Sequence, residues 1–373
     1  MTRLTVLQVL PALDGGGVER GTLELACELV NRGHRSLVVS AGGRMVKELV
    51  DAGSKHIALP IGHKSLLTLR LIPILRRIIR EENISILHAR SRLPGWIAYL
   101  AWKGLEEKEK PRFITTVHGL YSVNVYSRIM TKGEKVIAVS DTVKDYILEN
   151  YPGVDPGIIE VIHRGIDPGL YFPDYRPPDD WLRKWYSQYG ELKNKFVVTL
   201  PGRITRLKGH EDFLVIIKAL IEQGIPAHGL IVGDAHPKKM RYSEELVQKT
   251  SRFGIQDHIT FTGHRDDLRN IMSTSSVVLS LSQKPESFGR TVLESLCLGT
   301  PVIGYNHGGA SEIMAKLFPE GRIRVGDCVE AKEKLIEIYK TRPTPIKNNP
   351  YTLSSMLDKT IHLYEKMTGI LLQ

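Results

Sequence analysis

Short β-branched runs alternate with helix-patterned stretches along most of this chain, and that rhythm leaves few architectures open. Leu4–Leu10, Ser36–Ser40, Ser85–His88, Phe113–His118 and Lys135–Ser140 read as strands in the first half; Phe196–Pro201, His228–Gly233, His258–Thr262, Val277–Ser280 and Pro301–Tyr305 continue the series. Apolar strands separated by helix-length segments predict a parallel sheet covered by helices on both faces, an α/β arrangement. A length of 373 residues exceeds one ordinary core and fits about two domains. Two doubly wound units are therefore expected.

Between them, Asp167–Asp180 holds Pro168, Pro173, Pro177 and Pro178, whose missing N–H groups and fixed φ discourage regular structure. The linker is placed there, giving domains at residues 1–172 and 173–350. After Val325 the strand rhythm stops, and Pro343, Pro345 and Pro350 set off a final segment, residues 351–373, expected to pack back on the first domain as a helix.

The formal charge of +10 favours an anionic partner without choosing its kind. Aromatic residues are spread out and form no stacking platform among the basic ones, so nucleic acid is not expected. Cys27, Cys297 and Cys328 show no metal or redox spacing and read as packing residues of a reducing compartment. The first residues enter a strand pattern rather than a secretion signal, and no run of about 18 apolar residues occurs. A cytoplasmic protein is expected.

Ligands of open parallel sheets bind beyond the carboxyl ends of strands, where helix N-termini suit phosphates. Polar residues just after the strands form a coherent set: Gly202, Arg203 and Lys208 after one, Gly233 and Asp234 after the next, Gly263 and His264 after a third. The segment Pro285-Glu286-Ser287-Phe288-Gly289-Arg290-Thr291-Val292-Leu293-Glu294 follows. Near the start, Asp14–Arg20 is a glycine-rich turn; its register puts Arg20 where a dinucleotide fingerprint needs a third glycine, and Ser40-Ala41-Gly42 stands where the acidic residue belongs. A nicotinamide cofactor is not expected.

The segment from Glu286 to Glu294 resembles the Glu-x7-Glu motif of retaining glycosyltransferases of the family 4 type, and Gly202-Arg203 to Lys208-Gly209 resembles that family's phosphate-binding loop. Gly15-Gly16-Gly17-Val18-Glu19-Arg20, His118-Gly119, Ala138-Val139-Ser140 and Val161–Asp167 extend the resemblance over nearly the whole chain. It implies a GT-B fold: two Rossmann-like doubly wound domains facing a central cleft. By the same resemblance, Arg203 and Lys208 neutralise the departing diphosphate, Glu286 contacts the donor sugar, Glu294 accepts from the ribose hydroxyls, and His118 meets the sugar. Gly16, Gly17, Gly202, Gly233, His264, Gly289, Arg290, Thr291 and Val292 complete the donor contacts, and Arg206 is a secondary helper.

No Asp-x-Asp pair occurs to carry a divalent cation on the diphosphate, so the implied chemistry is metal-independent and needs no cofactor. His88 and Arg90 end a strand and are assigned to the acceptor side. Residues 63–80 carry Lys64, Arg70, Arg76, Arg77 and Arg80 with no acid, opposite Leu71, Ile74, Leu75, Ile78 and Ile79. That pattern suits an amphipathic helix on an anionic membrane surface. With His88–Trp96 and Arg164–Asp167, the chain looks like the branch of the family that builds bacterial lipopolysaccharide cores. A lipid-linked or oligosaccharide acceptor and peripheral association with the inner membrane are the corresponding expectations. A GT-B nucleotide-sugar epimerase, or a transferase for a soluble or other polysaccharide acceptor, is the alternative.

Overall fold

Strands that are apolar on both faces stay in place only between two layers of helix, and that is how the chain is built. The computed structural model describes residues 3–235 and 240–369. It divides into two units, Met1–Gly165 with Leu353–Gln373, and Ile166–Thr352. The first unit thus ends before the expected boundary at residue 172, while Asp167–Pro178 has neither helix nor strand, as its prolines dictate.

In the first unit, β1 (Thr5–Val9), α1 (Gly17–Asn31), β2 (Arg35–Ser40), α2 (Val46–Asp51), β3 (Lys55–Ala58), α3 (Leu71–Glu81), β4 (Ile86–Ala89), α4 (Arg92–Lys103), β5 (Arg112–Val117), β6 (Lys135–Ala138), α5 (Asp141–Asn150) and β7 (Ile159–Val161) follow in order. The sheet runs β3-β2-β1-β4-β5-β6-β7, with every neighbouring pair parallel. Alternation along each strand sends Leu7, Leu37, Leu87 and Phe113 to one face, with Leu75, Ile78 and Ile79 of α3 and Ile97 of α4. Leu4, Val6, Ile86, Ile114 and Ile137 face the other way, against Leu25 and Leu29 of α1.

The second unit contains α6 (Asp179–Gln188), β8 (Phe196–Pro201), α7 (His210–Glu222), β9 (Ala227–Val232), α8 (Met240–Arg252), β10 (Ile259–Phe261), α9 (Leu268–Thr274), β11 (Val277–Ser280), α10 (Arg290–Cys297), β12 (Val302–Tyr305), α11 (Gly308–Leu317), β13 (Arg322–Ile323) and α12 (Cys328–Thr341). Its parallel sheet runs β10-β9-β8-β11-β12-β13. The last helix, α13 (Leu353–Thr368), belongs to the first unit. Its Met356, Leu357, Ile361, Leu363 and Tyr364 are buried with Leu4, Val6 and Leu25. Five such side chains contribute of order 10 kcal/mol gross, before chain entropy, so α13 is part of that core and not an appendage.

The stretch at residues 63–80 is not one helix. A 3-10 turn, Leu66–Arg70, precedes α3, and the apolar stripe of α3 is spent on the core. Arg76 donates toward Ala101 O and Arg80 pairs with Glu109, which leaves Lys64, Arg70 and Arg77 on the outer surface. The exposed apolar residues are instead Leu66, Leu67 and Leu69 of the turn, 86%, 61% and 48% exposed. Among the described residues no helix is long and apolar enough to cross a membrane.

Candidate functional site

Strand order in the second sheet reverses between β8 and β11, and that reversal opens a crevice at the carboxyl ends of the strands. Gly202 N–H donates to Val232 O at 2.9 Å and Ile204 N–H to Asp234 O at 3.0 Å, which folds the loop after β8 toward β9. Gly233 N–H in turn donates to Gly263 O at 2.9 Å, so Gly202, Gly233 and Gly263 form a row along this edge. A 3-10 turn over Arg206–Lys208 leads through Gly209, at φ +72°, into α7. A Cβ on Gly209 would lie 2.2 Å from Leu281 O; only glycine lets α7 begin so close to the end of β11.

That approach joins the two sequence motifs. Lys208 Nζ donates to Glu286 Oε1 at 2.5 Å, and Ser282 Oγ donates to the same oxygen at 2.5 Å. His307 Nε2 lies 2.7 Å from Ser282 O, and Gly309 N–H donates to Glu286 O at 2.8 Å. Burial pushes the Glu286 carboxyl up, but Lys208, Ser282 and His307 outweigh it and hold it below 4.5. Glu286 is an ionised, oriented acceptor.

Arg203 is exposed, and no ion pair engages it among the described residues. Arg206 is committed elsewhere: it pairs with Glu211 at 3.2 Å and with Glu245, and lies 4.5 Å from the Tyr242 ring centre. It is therefore not the free helper expected from the sequence.

The helix α10 starts after Gly289, at φ +93°, where a Cβ would lie 2.7 Å from Ala310 Cα. The opening N–H groups, at Arg290, Thr291 and Val292, lack acceptors within the helix and carry its positive end. Glu294, one turn on, is buried and accepts from Arg290 Nε at 2.8 Å. Burial and then the Glu294 charge push the Tyr171 phenol up to about 12, so a neutral hydroxyl stands beside the carboxylate. His264 is exposed and bonded to Asp266 at 3.2 Å; it is not joined to the Lys208–Glu286 pair.

In the first sheet the order reverses between β1 and β4. Gly16 is the N-cap residue of α1 and Gly17 its first residue, whose carbonyl accepts from Arg164 Nη2. His118 follows β5 with both ring nitrogens shielded from solvent. Burial first, then Arg164, Arg90 and His88, lower its pKa well below 6.5, so the imidazole is neutral. Arg90, just past β4, is 4% exposed and donates from Nη1 to Gln8 Oε1 at 3.1 Å.

His88 does not reach an acceptor. It is fully buried, with Nδ1 2.6 Å from Tyr364 Oη and Nε2 2.6 Å from Thr116 Oγ1. Both nitrogens are used in fastening α13 to β4 and β5, and burial together with Arg90 keeps the ring neutral. Sequence reasoning also missed Tyr171, Ser282, His307 and Gln8, each of which touches or orients a site residue, Ser282 four positions along the chain from it and the others farther away. Their position just beyond strand ends was the available signal only for Ser282 and His307.

Two family models match the chain: Glycosyltransferase Family 4 over residues 15–170 and Glycosyl transferases group 1 over residues 183–349. The crystal structure of a glycosyltransferase from Rickettsia africae is similar at 30% identity and TM-score 0.86, covering 98% of this chain and 99% of that one. The Anabaena protein HepE, solved in complex with UDP and glucose, shares the fold at 21% identity and TM-score 0.75, over 98% and 95% of the two chains. The N-acetyl-α-D-glucosaminyl L-malate synthase of Bacillus anthracis is 26% identical over 88% of this chain and 86% of its own length. With both of its doubly wound units matched and a 30% identical glycosyltransferase alongside nearly its whole length, the chain belongs to the GT-B glycosyltransferases of family 4, which take sugar from a nucleotide-sugar donor.

Proposed function

We propose that this glycosyltransferase retains the donor's anomeric configuration, works without a metal ion, and transfers from a UDP- or GDP-sugar to a cell-envelope glycolipid, such as lipopolysaccharide core. One observation carries the donor half: the Lys208–Glu286 pair, exposed Arg203 and the N-terminus of α10 all belong to the loops that follow β8 and β11, the two strands at the switch point. In this reading Arg203, Lys208 and the α10 N–H groups take up charge as the anomeric C–O bond to the diphosphate breaks. The acceptor oxygen forms its bond to the anomeric carbon on the same face, and its proton leaves with the diphosphate. Glu286, held ionised, orients sugar hydroxyls; Glu294, with Arg290 and Tyr171 beside it, receives the ribose.

The acceptor half rests on the outer surface of the first unit. Leu66, Leu67 and Leu69 stand exposed beside His63, Lys64 and Arg70, an apolar tip with a basic rim. Such a tip suits an anionic bilayer, each basic residue adding roughly 1 kcal/mol, and supports peripheral binding at the cytoplasmic face of the inner membrane.

The test is a panel of nucleotide sugars scored by thermal stabilisation, where a true donor at 100 times its Kd adds about 2.7 kcal/mol. Turnover of that donor should then require an acceptor and yield the retained anomer by NMR. Conversion of the donor without any acceptor would instead establish an epimerase, and an inverted product would refute the stereochemistry proposed.

A further inference from the structure

Arg90 is a buried cation that forms no ion pair among the described residues; Glu24 and Glu19 act on it only from a distance. Its side chain is 4% exposed, Nε has no partner among the described residues, and Nη1 has only the neutral Gln8 amide oxygen at 3.1 Å. Gln8 is itself fixed by a bond from Nε2 to Thr22 O at 3.1 Å, so Arg90 is held in place from β1 and α1 together. Burying a charge without a contacting ion-pair partner costs several kcal/mol, and folds rarely keep such a group without use.

A second guanidinium comes to the same place. Arg164, from the segment after β7, donates to Gly17 O and lies over α1 where Gly21 has no side chain; a Cβ there would be 2.1 Å from Arg164 Nη1. Arg90, Arg164 and the neutral His118 line one cavity of about 20 Å³, at the carboxyl ends of β4 and β5, closed below by Thr360 of α13. Space of that size admits a single ligand oxygen and no sugar ring.

We infer that this cavity is an oxyanion subsite, in which Arg90 and Arg164 grip one oxygen of a compact phosphate or carboxylate carried by the acceptor. The inference rests on the glycosyltransferase reading above and narrows its acceptor to one with an anionic group near the reacting hydroxyl. Guanidinium groups suit such oxygens through charge-assisted bonds, and the burial of Arg90 strengthens them.

The test uses the full chain saturated with UDP, so that the donor site is filled, and titrates inorganic phosphate by calorimetry. Glycerol 3-phosphate and phosphatidylglycerol vesicles form parallel arms, which separate a soluble phosphoester from a lipid headgroup. Phosphate should bind, with affinity reduced about tenfold or more in Arg90→Gln and in Arg164→Gln. The second variant, at a half-buried residue, serves if the first does not fold. Phosphate binding that is absent from the UDP-loaded protein, or equal in the variants, overturns the subsite. Failure of both UDP and GDP to bind would instead overturn the underlying reading, so the two failures are distinguishable.

Discussion

Removing the Lys208 ammonium should separate catalysis from stability. Lys208 Nζ sits 2.5 Å from Glu286 Oε1, with the side chains 34% and 22% exposed. Solvent screens a pair this open, so Lys208→Ala should cost about 1 kcal/mol of stability, well short of the 3–5 kcal/mol of a fully buried pair. Against a total of about 5–15 kcal/mol the variant stays folded. Loss of a leaving-group cation is a larger effect, about 10²–10³ in kcat, or roughly 2.7–4 kcal/mol. Nucleoside diphosphate release should therefore fall by that factor while thermal unfolding moves by a few degrees.

A double-mutant cycle with Glu286→Gln then decides the role of Lys208. If it only holds Glu286 in place, its removal does nothing further in the Gln background; if it meets the diphosphate, a loss of at least tenfold persists. The pH dependence has a definite sign. Glu286 is held below 4.5 largely by Lys208 against the effect of burial. The pair's stabilisation is thus complete above pH 4.5 and is lost as pH falls through the lowered value. In Lys208→Ala only Ser282 and His307 are left to oppose burial, so that carboxyl rises and the stability gap between the two proteins should close on acidification. A kcat/KM within about threefold of the native enzyme, or a gap that widens in acid, would refute the assignment.

Four further outcomes are expected. Gly289→Ala places a Cβ 2.7 Å from Ala310 Cα at φ +93°, and should cost about 2–4 kcal/mol in unfolding experiments and weaken donor binding. His88→Leu leaves the buried Tyr364 and Thr116 hydroxyls without their partner, so stability should drop by about 1–3 kcal/mol per group while UDP affinity, measured by calorimetry, is kept. Burial lowers His210 and His228 from 6.5 to about 4, so the unfolded chain binds protons first and denaturant-measured stability should fall as pH drops from 6.5 toward 4, by up to about 3 kcal/mol per group. Replacing Leu66, Leu67 and Leu69 together by Ser should cut sedimentation with anionic vesicles by about tenfold or more, and leave turnover of a soluble acceptor unchanged.

How much of this was legible in the chain varies with the range of the signal. The central strands announce themselves because β-branched runs buried on both faces have no polar alternative. The edge strands β3, β7 and β13 do not: Lys55-His56-Ile57-Ala58 pairs only because β2 offers it a ladder, and neither its composition nor its length marks it. Arg203, Lys208, Glu286 and Glu294 could be singled out because loops after parallel strands are a local sequence feature with a known use, and the family resemblance supplied the roles proposed for them. Arg206 was misjudged because Glu211, Glu245 and Tyr242 reach it from α7 and α8.

His88 and Arg90 show where local reasoning stops. They are two residues apart at one strand end, and both read as acceptor-side groups. Packing gave them opposite fates: Tyr364, far along the chain, takes up the His88 ring, whereas Arg90 donates to the neutral Gln8 amide, forms no ion pair among the described residues and lines one cavity with Arg164.

By itself, then, the sequence determined two doubly wound α/β units and the residues that flank their strand ends, since periodicity and strand-to-helix turns are written within about ten neighbouring positions. The prolines before residue 351 also set the final helix apart, and it was expected on the first unit; only the tertiary structure decided that Lys208 meets Glu286 and that two guanidiniums line one small cavity. Those outcomes depend on the register of distant segments, fixed by burial across the whole sheet and by no local pattern.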